Sequence, residues 1–355
     1  LVPIFGTILV PDFRYHFGSS WGFDTELRNG YQFWVPFRFP ISVHFLPQVH
    51  NFWRWANFLR RSVPHGKRAL WMNIDETSVA RSFAAGRGLV VTARTPGGLG
   101  QDPFQRIRGG ELRGPVTHIA MATPHQELQR LLPQVFIGGS KNFTEPFVHQ
   151  FNTEAPGPVY FWRERSCWNN TGLMVRFLEL LAAVLRPWLL DWQPIILVDT
   201  ASCHLSAAVV SKANDLGMWL LVVPASLTWL LAPLDTNGFA AYKAFLRREY
   251  RVLASLAPNG VVPQRDWGQL LSRVATEFLQ SRNWAKAFSD NGIVEQTSLS
   301  KVLLRQLGPC TELEVTSVPR GAPSTDDLKQ LFPRNRRVNV AAFFQPVVEA
   351  LLAPP

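Results

Sequence analysis

Three aspartates lie at the ends or starts of predicted elements, and together they could support metal-dependent chemistry. Asp75 lies near the end of ALWMNIDETSV, Asp199 directly follows the apolar run PIILV, and Asp235 follows a proline at the start of a predicted helix. Because ligands of open α/β sheets gather at the carboxyl ends of strands, we expect the three carboxylates to converge at one sheet edge. Converging carboxylates repel one another and raise one another's pKa, and a hard divalent cation relieves that repulsion.

Aspartate oxygens suit Mg²⁺, which keeps few protein ligands and completes its octahedron with water and phosphate oxygens. Two such ions roughly 3.5–4 Å apart can activate a water or a 3′-hydroxyl and stabilise the leaving oxygen of a phosphodiester. The three aspartates therefore favour nuclease or polynucleotidyl transferase chemistry with two Mg²⁺, which Mn²⁺ can replace. The structural alternative stays open for each residue alone: a turn residue after a strand, or a helix N-cap in the case of Asp235.

Two further side chains lie next to these aspartates in the sequence. His204 follows Asp199 by five positions and could support the metal ligands, act as a general acid or base, or be a helix-entry histidine satisfied by the backbone. The period-two alternation of the strand puts Asp75 and Glu76 on opposite faces. Glu76 is therefore not predicted as a ligand.

The elements that must position these residues form an α/β pattern. PIILVD is predicted as a strand, LSAAVVSKANDL as a helix that ends at Gly217, and MWLLVVP as the next strand, which implies parallel pairing and a right-handed crossover. Further strands are predicted at GLVVTAR, PVTHIAMAT and PQVFIGG, and the stretch 96–114 is predicted as an extended loop. Helices are predicted at Phe52–Arg61, in TGLMVRFLELLAAVLRPWLLDW, and from near Asp235 to about Leu253.

Composition limits the class of partner. The chain has 355 residues, of which 46% are hydrophobic and 17% charged, so it can bury a core; its net charge is +10 and its pI is near 10.0. That excess favours nucleic acid first and a membrane surface second, although an ordinary basic enzyme is an equal alternative. The scattered cysteines, Cys167, Cys203 and Cys310, predict neither a zinc site nor disulfides and suit a reducing compartment.

Targeting signals are not evident, because the sequence shows no signal peptide and no apolar run of the ~18 residues that a membrane span needs. The chain starts at Leu1 rather than at a methionine, which suggests a fragment.

Basic side chains in two parts of the sequence could contact a phosphate backbone. They lie on the helix after Asp235 and in the glycine-rich stretch before the second half of the sheet: Lys243, Arg247, Arg248, Arg251, Arg106 and Arg108.

Three segments, taken in order, resemble the motifs of the DDE-type transposases, and more narrowly the pogo-like branch of the mariner superfamily, which is related to jerky-type proteins and centromere protein B. The segments are MNIDETSV, ILVDTASCH and LVVPASLTWLLAPLDTNGFAAYKAFLRREY. The last matches the block P-P-x-x-T-x-x-x-Q-P-L-D at Pro224, Thr228, Pro233, Leu234 and Asp235. The interval from Asp199 to Asp235 is 235 − 199 = 36 residues, as expected for a branch whose third acid is Asp.

The resemblance implies an RNase H-like fold: a mixed five-stranded sheet flanked by helices, with a mainly helical C-terminal extension. It implies that Asp75, Asp199 and Asp235 bind two Mg²⁺ for hydrolysis and strand transfer on DNA. It also implies a nuclear location and leaves a homodimer open, whereas no membrane partner is expected. The expected organisation is an N-terminal aromatic and basic region (1–66), a catalytic domain (67–255), a helical extension (256–310) and an irregular tail (311–355).

The chain departs from the family pattern in two ways. The residues before Asp75 do not resemble the paired helix-turn-helix segments of the family, and Ala232 and Thr200 replace the usual residues at their positions. A domesticated, non-catalytic DNA-binding or chromatin protein is therefore the alternative function. An unrelated basic metabolic enzyme is a third class, which the lack of a glycine-rich phosphate loop disfavours.

Overall fold

The computed structural model describes residues 46–80, 89–91, 104–106, 115–155, 157–225, 227–257, 262–294, 322–332 and 338–352. Most of the predicted N-terminal region, 1–66, lies outside the described residues, as does Arg108.

Eight strands are described, and six of them form one sheet. Their bounds are β1 Arg68–Ala80, β2 Leu89–Val91, β3 Phe104–Arg106, β4 Pro115–Ala122, β5 Gln134–Gly138, β6 Val159–Arg163, β7 Trp192–Val198 and β8 Trp219–Val222. The six-stranded sheet has the order β6-β5-β4-β1-β7-β8. Among these six strands β4 alone runs antiparallel to its neighbours, and the other pairings are parallel.

The strand order defines the fold. Numbered along the chain, strands β1, β4, β5, β7 and β8 lie in the spatial order 3-2-1-4-5, with the second strand antiparallel. This is the RNase H-like arrangement that the sequence predicts. The parallel strands β7 and β8 are buried almost throughout, which explains their continuous apolar runs, because helices cover parallel sheets on both faces.

The sheet differs from the prediction in two places. It has six strands rather than five, because the short aromatic run Val159–Arg163 adds to the edge beside β5. The strand predicted at GLVVTAR is shorter, and it pairs with Phe104–Arg106 in a separate two-stranded sheet rather than with the main one. Part of the stretch 96–114, predicted as loop, is thus a strand. Three-residue strands carry too short an alternation to be recognised in a sequence.

Twelve α-helices are described in the ranges given above. Their bounds are α1 Leu46–Arg61, α2 Gln126–Gln129, α3 Glu145–Glu154, α4 Thr171–Leu185, α5 Ala207–Asp215, α6 Thr228–Leu231, α7 Pro233–Asn237, α8 Phe239–Leu256, α9 Gln264–Val274, α10 Ala285–Asp290, α11 Thr325–Lys329 and α12 Gln345–Leu352. Arg186–Trp188 and Val340–Phe343 are 3₁₀ turns, and Ala275–Gln280 is π-helical. None of the described helices combines the length and the apolar character that crossing a lipid bilayer requires.

The helix predicted from near Asp235 to about Leu253 is divided into α7 and α8 at Gly238. A Cβ on this glycine would lie 2.6 Å from the carbonyl oxygen of Leu234 and 2.9 Å from the ring of Trp284. The close approach therefore excludes a side chain at position 238. Sequence periodicity does not reveal such a break, because glycine also occurs inside helices.

The C-terminal segment packs against α1 and is more regular than the predicted tail. The ring of Trp55 stacks on Phe344 at 5.5 Å and also contacts Phe332 and Phe343, while Arg54 forms a 2.8 Å ion pair with Asp327. The described parts of 311–355 thus include α11, a 3₁₀ turn and α12 rather than irregular chain alone.

Candidate metal centre

Asp75 and Asp199 come from neighbouring parallel strands. The pairing of β1 with β7 ends at Asn73 opposite Leu197, so continuing the register by two residues places Asp75 beside Asp199. β1 itself continues past Asp75, which pairs with Ala120 of β4. The sequence predicts Asp75 near the end of its strand. In the structure the strand continues to Ala80, and Asp75 lies just past the point where β1 stops pairing with β7.

Asp235 reaches the same edge from helix α7. Pro233 is the first residue of this helix and Ala232 is its N-cap, which excludes the N-cap alternative for Asp235. The start of the helix is tied to the sheet by the buried side chain of Asn73, whose Oδ1 accepts a hydrogen bond from the Leu234 amide at 2.9 Å. One residue of β1 thus fixes the helix that carries the third aspartate.

The three carboxylates influence one another electrostatically. The pKa of Asp75 is raised well above its ordinary value, chiefly by burial and then by repulsion from Asp235, Asp199 and Glu76, although the Glu76 amide donates a 2.7 Å hydrogen bond that opposes the shift. The pKa of Asp235 is raised by burial and by Asp199, against a hydrogen bond from Thr228. Asp75, Asp199 and Asp235 thus lie near enough to one another for their charges to interact.

Lys243 brings positive charge to this edge. Burial and the neighbouring Arg247 lower the pKa of its amine, whereas Asp235 and Asp75 raise it. The Lys243 amine therefore lies near Asp235, Asp75 and Arg247.

The helix that carries Asp235 is also held from the C-terminal side. The Oγ1 atom of Thr236 lies 2.9 Å from Oδ1 of Asn291, and the Asn291 amide donates to the carbonyl of Leu230 at 2.6 Å. Asn237 donates a further bond to Thr236 at 2.8 Å. Asn291, in the segment NWAKAFSDNGIV (residues 283–294), thus stabilises the backbone around Asp235.

A buried histidine joins two acidic side chains beside this centre. His204 is 0% exposed; its Nδ1 lies 2.6 Å from Oδ1 of Asp199 and its Nε2 lies 3.0 Å from Oε1 of Glu76. Glu76 also accepts a hydrogen bond from the amide of Asn169. Although burial lowers the pKa of His204, the charge of Glu76 and hydrogen bonds with Asp199, Cys203 and Glu76 raise it well above its ordinary value. Both ring nitrogens contact side chains, which excludes the alternative of a ring satisfied by the backbone.

Two sets of side chains at this edge have the atoms of metal ligands. Oxygen atoms of Asp75, Asp199 and Asp235 are the donors that Mg²⁺ and Mn²⁺ prefer, and the mutual repulsion of these groups favours a cation. Glu76, Cys203 and His204 place one ligand atom each within 4.8 Å of the others, but both nitrogens of His204 already contact carboxylates. The aspartate set has oxygen donors alone and is therefore the set whose donor type suits Mg²⁺.

The predicted basic residues differ in their surroundings. Arg247 and Arg251 are exposed on α8, one and two turns beyond Lys243. Arg248 pairs with Glu249 at 3.0 Å and lies over the ring of Phe245. Arg106 is the last residue of β3, paired with Leu89, whereas Arg108 lies outside the described residues.

Sequence reasoning missed the supporting residues rather than the aspartates. Asn73, Glu76 and Asn169 support the site. Alternation excluded Glu76 as a ligand, and neither Asn73 nor Asn169 stands out in the sequence. Their signal in the sequence is weak, because single polar residues in strands and loops occur for many reasons. Asn169 lies 93 positions from Glu76, so only the fold brings the two together.

The strand order is that of RNase H-like proteins, and comparisons with known proteins do not identify a family. No protein-family model matches the chain, and no curated protein matches it. The chain is similar to a crystal structure of the Mos1 mariner paired end complex with Mn (TM-score 0.41, 14% identity, 79% of this chain and 67% of that chain). It is also similar to the Mos1 transposase paired-end complex with left transposon end (TM-score 0.34, 14% identity, 69% and 62%), so it spans less than two thirds of that second chain.

Proposed function

We propose that the protein is a Mg²⁺-dependent DNA endonuclease of the DDE transposase type, with Asp75, Asp199 and Asp235 as its metal ligands. The observation that supports this proposal is that three carboxylates from separate parts of an RNase H-like fold lie near enough for their charges to interact. Burial, and then repulsion from the other carboxylates, raises the pKa of Asp75. A set of like charges in a partly buried position destabilises a fold unless a cation neutralises it.

Each of the three ligands would come from a different part of the fold. Asp75 lies on a central strand, Asp199 follows the neighbouring strand, and Asp235 lies in the first turn of α7. When bound, two Mg²⁺ or Mn²⁺ ions would activate a water or a 3′-hydroxyl and stabilise the leaving oxygen of a phosphodiester. The protein's own contribution is to hold the three side chains on elements fixed by the sheet.

The substrate proposed for this centre is DNA. The chain carries a net charge of +10, and Lys243, Arg247 and Arg251 extend from the carboxylates along one helix. Side chains in this arrangement can contact successive phosphates, and each contact adds affinity that decreases with salt. Arg248, Arg106 and Arg108 are proposed as further contacts, the first of them after leaving its pair with Glu249.

Within the mariner superfamily we propose the pogo-like branch. Its motif positions have structural roles here: Thr228 hydrogen-bonds Asp235, and Pro233 and Leu234 form the helix start that Asn73 holds. A nuclear location and assembly with a second copy of the chain are further proposals from the same resemblance.

The test is cleavage of supercoiled plasmid DNA in the presence of Mg²⁺ or Mn²⁺. The wild type should nick the plasmid, whereas Asp75→Asn, Asp199→Asn and Asp235→Asn should reduce nicking by several orders of magnitude, because each removes a charged ligand. Asp215→Asn is the matched control, because Asp215 is an exposed aspartate at the end of α5.

Equal cleavage by the wild type and the ligand variants would refute catalysis at this site. DNA binding without cleavage by any of them would favour the alternative of a domesticated, non-catalytic DNA-binding protein. Cleavage that requires the three aspartates but not Asp215 supports the proposal.

A further inference from the structure

The loop that carries Asp199 has no regular backbone structure to orient its carboxylate. Strand β7 ends at Val198 and helix α5 begins at Ala207, so Asp199 lies on an intervening turn with its side chain 33% exposed. Mg²⁺ accepts only near-ideal octahedral geometry. A ligand on such a turn therefore needs other side chains to hold it.

The structure provides these contacts. Oδ1 of Asp199 accepts a hydrogen bond from the Ala201 amide at 2.8 Å and one from Nδ1 of His204 at 2.6 Å. The opposite ring nitrogen of His204 donates to Glu76 at 3.0 Å, and Glu76 is held in turn by Asn169. We call the Asn169–Glu76–His204 series the carboxylate clamp.

The clamp connects two of the three aspartates through one strand. Glu76 is the residue after Asp75 on β1, and by strand alternation its side chain leaves the opposite face. Through His204 it reaches Asp199, so β1 provides one aspartate directly and orients another through the clamp.

We propose, on the basis of the function proposed above, that Glu76 and His204 are positioning residues that orient Asp199 toward the metal ions. Neither residue needs to contact the substrate or the ions for this role. Outer groups that hold a metal ligand in this way typically contribute 10- to 100-fold in metal affinity or activity.

The experiment measures Mn²⁺ binding by the full chain in the absence of DNA, by isothermal titration calorimetry, with melting temperatures recorded for every variant. Asp199→Asn should abolish or strongly weaken binding. Glu76→Ala and His204→Ala should each weaken it about 10- to 100-fold. Glu179→Gln is the matched control, because Glu179 is an exposed glutamate that pairs with Lys212 on another part of the surface, and it should bind as the wild type does.

Conservative variants separate positioning from a general loss of stability. The amide nitrogen of His204→Asn occupies the place of Nδ1 and can still donate to Asp199, and the amide oxygen of Glu76→Gln can still accept from Nε2. Both should bind Mn²⁺ more tightly than the corresponding alanine variants. The double variant Glu76→Ala/His204→Ala should bind no more weakly than His204→Ala alone, because Glu76 acts only through His204.

The results separate this inference from the proposed function. If Asp199→Asn weakens Mn²⁺ binding but Glu76→Ala and His204→Ala bind like the wild type, the clamp is refuted while the metal centre stands. Losses that are additive, follow the melting temperature and are not rescued by the conservative variants would likewise refute positioning. Unchanged binding by Asp199→Asn would refute the metal centre itself and the clamp with it.

Discussion

Two completely buried histidines, His118 on strand β4 and His204 on the turn after β7, have pKa values that shift in opposite directions. His118 on β4 pairs with Thr77 of β1, and His204 contacts Glu76, the residue before Thr77. Burial lowers the pKa of His118 to about 3. The pKa of His204 is raised well above its ordinary value, because Glu76 and Asp199 outweigh the effect of its burial.

The surroundings of the two rings explain the difference. His118 stacks on Phe136 with 4.1 Å between ring centroids, and its Nδ1 lies 2.9 Å from the hydroxyl of Tyr242. His204 lies between carboxylates. Loss of water penalises a charge in both places, and only acidic partners reverse that penalty. His204 thus lies among acidic side chains, as is common at functional sites, whereas His118 lies in ordinary core.

The largest effect on stability should come from opening the core around His118. Phe136→Ala removes the ring on which His118 stacks, and we expect the free energy of unfolding to decrease by about 3–5 kcal/mol because a cavity remains. Water in that cavity should also raise the pKa of His118. Urea unfolding and an NMR titration of the ring measure the two effects.

The control for this variant is Leu190→Ala, because Leu190 is 82% exposed. It should change stability by no more than about 0.5 kcal/mol. An equal loss in both variants would contradict the assignment of Phe136 and His118 to a closely packed core.

Acidification should reduce stability through His118. The folded ring stays neutral down to about pH 3, whereas the unfolded ring takes up a proton below about pH 6.5. The unfolded state therefore binds more protons in this window, and the free energy of unfolding should decrease by about 1.4 kcal/mol for each unit that the pH falls.

Urea unfolding of the wild type and of His118→Gln between about pH 6 and about pH 4 isolates this contribution from those of other groups. The wild type should lose stability more steeply than the variant. Identical slopes would show that His118 is not the neutral, buried group that its surroundings imply.

Tyr242→Phe should have a smaller effect, because it removes one hydrogen-bonding group and keeps the aromatic ring. Nδ1 of His118 would lose the partner that lies 2.9 Å away, which should cost about 1–3 kcal/mol. The double variant with His118→Gln should lose less than the sum of the two single losses. Additive losses in urea unfolding would contradict the pairing.

The smallest effects are expected at the exposed basic residues that follow Lys243 on α8. If the proposed function is correct, Arg247→Gln and Arg251→Gln should each reduce the salt dependence of DNA binding by about one unit in the log–log slope. Arg186→Gln is the control, because this exposed arginine precedes the start of β7, at the opposite end of that strand from Asp199. Equal changes in all three variants would indicate non-specific attraction.

Much of the fold could be predicted from local patterns. The strand–helix–strand unit ending in MWLLVVP was confirmed, with parallel pairing of β7 and β8, because continuous apolar runs and a glycine stop are local signals. Helices α1 and α4 were predicted from amphipathic spacing and are present, although α1 begins at Leu46 rather than at Phe52. The sixth strand and the break at Gly238 could not be predicted, because they depend on an edge pairing and on the approach of Trp284.

The candidate site shows the same division. Each aspartate could be singled out because it is adjacent to a strongly patterned element, and the binding of metal by the three together stays a prediction. The clamp could not be found, because Glu76 and Asn169 lie far from Asp199 in the chain and meet it only through His204. Alternation correctly separated Asp75 from Glu76, but it did not predict that the turn after β7 would bring His204 to Glu76.

The sequence by itself determined the parallel strand–helix–strand unit of β7, α5 and β8 and singled out the three aspartates, since apolar runs, glycines and prolines act within a few residues of themselves. Only the tertiary structure decided which polar side chains support those aspartates and which of the two buried histidines lies between carboxylates. Burial and charge pairing depend on atoms that are distant in the chain and adjacent in space. The pKa of His118 and that of His204 therefore shift in opposite directions, although both rings are equally buried.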